Sequence, residues 1–136
     1  MRVVIIDGQG GGMGRALTER LRAASPEAEI VAVGTNVLAT AAMLKAGASA
    51  GATGENAVRV NCRRADVIAG PIGIVLADAL LGEITPEMAR CVAASPARKV
   101  LLPMQKCHIQ VAGVAQLTTQ ELAEDAVRRI LEGQKQ

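Results

Sequence analysis

A run of glycines is the feature of this sequence with the clearest chemical use. Five glycines fall within the seven residues from Gly8 to Gly14, directly after the β-branched run at 3–6. Glycine permits positive φ and a close approach to the backbone, and free N–H groups at the start of a helix attract an anion. The run predicts a strand-to-helix turn that holds the phosphate of a nucleotide-type ligand. A tight turn without a ligand is the alternative.

Further candidates for the same ligand follow the later strands. In an open parallel sheet the ligand lies beyond the carboxyl ends of the strands, where the connecting loops meet. The residues expected to bind the cofactor are Gly8, Gln9, Gly10, Gly11, Gly12, Met13, Gly14, Arg15, Thr35, Asn36, Gly70 and Pro71. Thr35 and Asn36 would hold a ribose, cap the next helix, or do both.

The expected cofactor is NADP or another phosphorylated nucleotide. A site selective for NAD carries a carboxylate about twenty residues after the glycines, at the end of the second strand. Here that place reads Gly34-Thr35-Asn36, so no carboxylate would repel a 2′-phosphate, and Arg15 lies beside the loop. A flavin is less expected, because sites of this architecture flank its ring with aromatic side chains and this chain has no Phe, Tyr or Trp.

Three residues are candidates for acid–base chemistry, namely Lys106, His108 and Glu83. The neighbouring Cys107 does not form a dyad with His108, because adjacent residues of an extended segment point to opposite sides. An exposed loop position is the alternative for both His108 and Glu83. The sequence leaves open whether a reaction follows binding.

Composition excludes several classes of function. Fifteen basic and thirteen acidic residues give a net charge of +2, too little to hold a nucleic-acid backbone. Three cysteines without Cys-x-x-Cys spacing indicate reduced thiols in the packing, and no metal site is expected. The longest apolar run, 67–77, is broken by glycine and proline, so we expect no membrane span. The four-residue apolar run at 3–6 is too short for an export signal. A cytoplasmic protein is expected.

The elements that must position these residues alternate between strands and helices. Apolar runs predict strands at 3–6, 30–33, 66–69, 100–102 and 109–111. Helical spacing predicts six helices, at 16–24, at 37–46, from Thr53 through Ala65, at 74–81, at 86–94 and from Thr118 to 132. Asn36, Thr53 and Thr85 are the expected caps of the second, third and fifth helices, and Thr118 and Glu121 form a capping box at the start of the last. The loop Gly51-Ala52-Thr53-Gly54-Glu55-Asn56 is either a second anion nest or a capped loop. The pattern predicts an α/β fold with a doubly wound, mostly parallel, five-stranded sheet, forming one domain over 1–136.

Two resemblances add to this interpretation. The spacing Gly8-x-x-x-Gly12-x-Gly14 resembles the phosphate loop of short-chain dehydrogenases over about the first forty residues, but their Tyr-x-x-x-Lys pair cannot exist in a chain without tyrosine. Over nearly its full length, through DGQGGGMG, GTN, GATGEN, GPIGI, GEITP and KCHIQVAG, the chain resembles an uncharacterised bacterial family of short, single-domain, Rossmann-like proteins. That resemblance implies a fold, and it implies no activity or catalytic residue.

The sequence is therefore compatible with three functions. The first is a nucleotide- or dinucleotide-binding protein that holds a phosphate in the Gly8–Gly14 loop. The second is a small oligomeric enzyme acting on a phosphorylated or acidic metabolite, in a cleft completed by another copy. The third is a non-catalytic regulatory or interaction module that packs the apolar helices 37–46 and 74–81 against partner chains. The expected partners are a small-molecule nucleotide and further copies of the chain, with no nucleic acid and no membrane.

Overall fold

Strands and helices alternate along the chain, as the apolar periodicity predicts. The computed structural model describes residues 1–104 and 108–133. The strands are β1 Arg2–Asp7, β2 Glu29–Gly34, β3 Ala50–Thr53, β4 Val67–Pro71 and β5 Arg98–Leu102. The helices are α1 Gly12–Ala24, α2 Val37–Lys45, α3 Glu55–Cys62, α4 Pro86–Ala94 and α5 Thr119–Glu132, and a short 3-10 helix spans Ile72–Val75.

The five strands form one sheet in the order β3-β2-β1-β4-β5. Each neighbouring pair of these strands is parallel. The chain starts in the middle of the sheet, proceeds outward to β3 and then returns to the other side of β1. The strand order therefore reverses between β1 and β4, which is where open α/β sheets place their ligands. The predicted doubly wound parallel sheet is confirmed.

Each face of the sheet buries its own apolar core. Val3 and Ile5 of β1 face a core shared with α1, α2 and α5, whereas Val4 and Ile6 face a core shared with α3 and α4. All four side chains are at most 1% exposed. A strand covered on both faces needs apolar residues at every position, which explains the uninterrupted β-branched run.

Three of the four predicted helix caps, at Asn36, Thr85 and Thr118, are confirmed. The side chains of Asn36 and Thr85 each accept a hydrogen bond from the backbone amide three residues later, at 2.9 and 3.1 Å. Thr118 and Glu121 form a reciprocal capping box at the start of α5. These short-range contacts fix where the helices begin, and they therefore set the direction of each loop at the carboxyl edge.

The predicted helix at 74–81 is wrong. The short 3-10 helix ends at Val75, and the chain then turns through Asp78, Leu80 and Leu81, whose φ values are 66°, 56° and 57°. Left-handed residues cannot continue a right-handed helix. The segment is apolar because part of it packs onto the carboxyl edge of the sheet, and not because it forms a buried helix.

The predicted strand at 109–111 is also wrong, and the fifth strand is β3. The stretch from 109 to 118 is exposed and has no regular structure. β3 has the sequence Ala-Gly-Ala-Thr and pairs only with β2 at the sheet edge. Thr53 belongs to this strand, and its hydroxyl lies 2.7 Å from that of Thr40. It therefore does not cap α3, which begins after Gly54 without a side-chain cap.

Candidate functional site

The loops that follow β1, β2 and β4 meet at the carboxyl edge of the sheet. The glycine loop, residues 8–14, turns from β1 into α1, and some of its glycines are required by packing. A Cβ added at Gly8 would lie 2.6 Å from Thr35 Oγ1, and one added at Gly11 would lie 2.9 Å from Ala39 Cα. Gly11 also has a φ of 73°. Gly14 is crowded in the same way, so the fold accounts for these three glycines.

The fold does not account for Gly10 and Gly12. A Cβ added at either would meet no atom within 4 Å, and neither residue has a positive φ. Among the described residues, the amides of Gly10, Gly12 and Met13 donate no hydrogen bond to the protein. Packing and backbone conformation therefore permit side chains here, and the glycines leave the backbone open to an approaching group.

A buried carboxylate lies beneath this loop. Asp7, the last residue of β1, is 5% exposed. Its two oxygens accept the amides of Gly8 at 2.8 Å and Gly14 at 2.6 Å, so the side chain ties the two ends of the loop together. Burial raises the pKa of Asp7, while the two amide hydrogen bonds oppose that rise. Sequence reasoning did not assign Asp7 a role, although an Asp between a buried strand and a glycine is the available signal.

Glu83 joins the loops that follow β1 and β2. Its Oε1 accepts hydrogen bonds from the Gln9 amide at 2.9 Å, Thr35 Oγ1 at 2.6 Å and Asn36 Nδ2 at 2.8 Å. Partial burial raises the pKa of Glu83, but these hydrogen bonds outweigh it and hold the pKa below its ordinary value of 4.5. The carboxylate is therefore ionised at neutral pH and sits at the end of β2.

The position of Glu83 corrects the expectation about the ribose end of the site. The preference for NADP over NAD rested on the absence of a carboxylate near Thr35 and Asn36. That premise is wrong, because Glu83 brings one there from 48 residues further along the chain. No local pattern signals this contact, since it depends on the path of the segment that follows β4.

We expect Glu83→Gln to lower the free energy of unfolding at pH 7 by about 1 kcal/mol, since a neutral amide accepts three hydrogen bonds less strongly than a carboxylate. Because the folded pKa of Glu83 lies below 4.5, its contribution is present above pH 4.5 and is lost as the pH falls through the folded pKa. The difference between wild type and variant should therefore shrink in acid. Urea unfolding followed by circular dichroism at several pH values measures it. Glu27→Gln, at an exposed position outside the site, is the control, and a pH-independent difference would contradict the prediction.

A cavity of about 690 Å³ opens beside the glycine loop. It is lined by Gln9, Val75, Leu76, Ala77, Asp78, Ala79, Leu80, Leu81, Met104, His108 and Ile109. His108 is thus brought to the same edge as Gln9, whereas Lys106 lies outside the described residues. Grooves of about 730 and 820 Å³ run along the stretch from 98 to 133, and no residue of the glycine loop lines them.

The remaining candidates take up different positions. Gly70 and Pro71 are buried at the end of β4, and a Cβ added at Gly70 would lie 2.2 Å from the Ile6 carbonyl oxygen. They set the spacing of β1 and β4 at the point where the strand order reverses. Arg15 is exposed in the first turn of α1, and its side chain makes no ion pair with any described residue. The segment 51–56, which the sequence left as an anion nest or a capped loop, is divided between β3, which ends at Thr53, and α3, which begins at Glu55.

Residues 1–104 and 108–133 contain no candidate metal site and no candidate membrane-spanning helix. No group of three or more His, Cys, Asp or Glu side chains in this part is placed to hold a metal ion. Likewise, none of its helices has the length and apolar character needed to span a bilayer. Cys62 and Cys91 are buried free thiols, and burial raises the pKa of Cys62 to about 12, which keeps it protonated.

Comparison with known proteins supports the fold. The model of the family described as "Domain of unknown function (DUF3842)" matches residues 2–135. No curated protein matches the sequence. Among solved structures, a dodecameric FMN-dependent UbiX-like decarboxylase from Escherichia coli has a TM-score of 0.57 at 17% identity, covering 100% of this chain and 96% of that one. AibC has a TM-score of 0.46 at 19% identity, covering 97% of this chain and 39% of that one. The chain thus shares the fold of the decarboxylase.

Proposed function

The chain belongs to the DUF3842 family, and we propose that it binds a phosphorylated nucleotide at the carboxyl edge of its sheet. The phosphate would lie on the amides of Gly10, Gly12 and Met13. The main support for this proposal is the empty space beside Gly10 and Gly12, where an added Cβ would meet no atom within 4 Å. A helix N-terminus with free amides and room for a ligand favours an anion.

The amides of the loop divide into two groups. Asp7 uses those of Gly8 and Gly14, and Glu83 uses that of Gln9. These carboxylates are thus each already paired with loop amides. The Gly11 amide donates to the Gly8 carbonyl oxygen at 2.9 Å, and among the described residues only the amides of Gly10, Gly12 and Met13 in the loop have no acceptor. The helix dipole adds a partial positive charge there. This division supports an anion on the outer side of the loop.

The sugar of the ligand would lie at Glu83, Thr35 and Asn36. Oε1 of Glu83 already accepts three hydrogen bonds, and its second oxygen accepts none from the described residues, so it is available to a sugar hydroxyl. A second phosphate at this position would be repelled by the ionised carboxylate. We therefore favour ligands with free sugar hydroxyls over NADP. FMN is the first probe, because the decarboxylase with this fold is described as FMN-dependent.

Two pairs of compounds test the proposal. FMN carries a phosphate that riboflavin lacks, and NADPH carries a 2′-phosphate that NADH lacks. We expect FMN to bind at least about tenfold more tightly than riboflavin, because the charged hydrogen bonds to the loop are lost with the phosphate, and NADH to bind more tightly than NADPH. Ligand fluorescence reports binding cleanly, since the chain has no Trp or Tyr. Equal affinity for FMN and riboflavin, or no binding of any of the four at millimolar concentration, would rule the proposal out.

A homo-oligomer is the proposed state of assembly, and surface composition supports it. Val37, Leu38 and Leu81 are 73%, 75% and 96% exposed. Exposed apolar side chains of this size favour association with another chain. The decarboxylase of the same fold is described as dodecameric.

The oligomeric enzyme acting on a phosphorylated or acidic metabolite stays a second candidate, because His108 lines the cavity beside Gln9 and is a residue type that transfers protons near neutral pH.

A further inference from the structure

We infer that the cavity beside the glycine loop, defined by residues 75–81 with Gln9, His108 and Ile109, is a subsite for an uncharged apolar group of about the size of one or two fused rings. Gln9 belongs both to this cavity and to the glycine loop. The subsite would therefore receive the part of the ligand that is attached to the phosphorylated part. In that respect the inference deepens the proposed function, although the cavity itself does not depend on the loop.

The lining of the cavity determines the class of group that it takes. Aliphatic side chains dominate, and they are contributed by Val75, Leu76, Leu80 and Leu81 among others. Among the described residues that line the cavity, Asp78 is the one with a formal charge, and it is exposed. The volume of about 690 Å³ falls within the range of small-molecule sites, and such sites combine apolar walls with a few polar groups. Gln9 and His108 provide those polar groups here.

Two glycines allow the wall of the cavity to approach the sheet. Leu80 Cδ1 lies 2.9 Å from the position that a Cβ of Gly8 would occupy, and Leu80 Cδ2 lies 3.8 Å from the corresponding position at Gly73. Met104 Sδ comes within 3.1 Å of that same position at Gly73. The wall is therefore seated on the backbone of both strand ends, next to the proposed phosphate site.

The backbone of the wall is held in an unfavourable conformation. Asp78, Leu80 and Leu81 are non-glycine residues with left-handed φ. The segment is fixed by a hydrogen bond from the Asp78 amide to the Ile84 carbonyl oxygen at 2.7 Å. It is also fixed by Glu83, which accepts a hydrogen bond from the Gln9 amide. Strained residues that are fixed in this way concentrate at ligand sites. The result here is a Leu81 side chain that is 96% exposed at the edge of an apolar cavity.

The test uses Nile red, a neutral apolar dye, with purified full-length protein. Leu81→Asp places a charge at the cavity and suits its left-handed backbone better than leucine does. Val114→Asp is the matched control, because Val114 is 47% exposed on an irregular segment and lines the other grooves but not this cavity. We expect saturable binding of one dye per chain, at least tenfold weaker in Leu81→Asp and unchanged in Val114→Asp.

Two outcomes would overturn the inference. One is the absence of saturable dye binding by folded wild-type protein, and the other is a Leu81→Asp variant that binds the dye no more weakly than Val114→Asp does. Circular dichroism confirms that each variant is folded. The dye carries no phosphate, so a failure of FMN to bind would remove the proposed function and leave the apolar subsite standing.

Discussion

Gly12→Asp should weaken the binding of a phosphorylated ligand by about 100-fold, while the protein remains folded. A carboxylate about 5 Å from a bound phosphate repels it by about 3 kcal/mol at the effective dielectric constant of a protein surface. The side chain itself has room, because a Cβ at Gly12 meets nothing within 4 Å. At the first position of α1, a negative charge also interacts favourably with the helix dipole, by about 0.3–1 kcal/mol. Stability and affinity should therefore change in opposite directions.

Titration with FMN and urea unfolding measure the two effects on the same protein. Gly12→Asn is the matched control, because it adds almost the same volume without the charge. An affinity for Gly12→Asn that falls between those of wild type and Gly12→Asp would assign the loss to charge. If Gly12→Asp binds as tightly as wild type, the phosphate does not lie on this loop.

Most of the fold could be predicted because its determinants are local. The β-branched run at 3–6 identifies a strand buried on both faces, and Asn36 and Thr118 each cap a helix through an amide only three residues away. β3 could not be found in this way, since Ala-Gly-Ala-Thr has little intrinsic strand preference and becomes a strand by pairing with β2. The apolar character of the 74–81 segment predicts a helix, but it arises because part of the segment packs at the carboxyl edge of the sheet, and the left-handed φ of Leu80 and Leu81 excludes a helix there.

The candidate site was predicted in outline and not in its details. The glycine run marks the loop, but the sequence does not distinguish Gly11, which packing requires, from Gly12, which packing does not. Glu83 was named as an acid–base candidate, and its contacts with Thr35 and Asn36 follow from a path between elements far apart in the chain. Contacts of this range depend on the tertiary fold, so no local pattern could have shown that a carboxylate lies at the end of β2.

Gly70→Ala should be the most damaging of the glycine substitutions at this edge, with a loss of about 3–4 kcal/mol or of the folded state altogether. The added Cβ would lie 2.2 Å from the Ile6 carbonyl oxygen, and the contact is with backbone, so no side chain can move aside. β1 and β4 are paired through Ile5 and Ala69 directly before this point, which prevents the strands from separating without loss of their hydrogen bonds.

The matched variant is Gly10→Ala, which should be neutral or stabilising by about 0.4–1 kcal/mol, because its Cβ meets nothing and its backbone needs no positive φ. Urea unfolding followed by circular dichroism compares the two. A Gly70→Ala protein as stable as wild type would show that β1 and β4 adjust freely where the strand order reverses, and the crevice could not then be a rigid site. A destabilised Gly10→Ala would mean that the fold itself needs this glycine, and its presence would then not indicate a ligand at the loop.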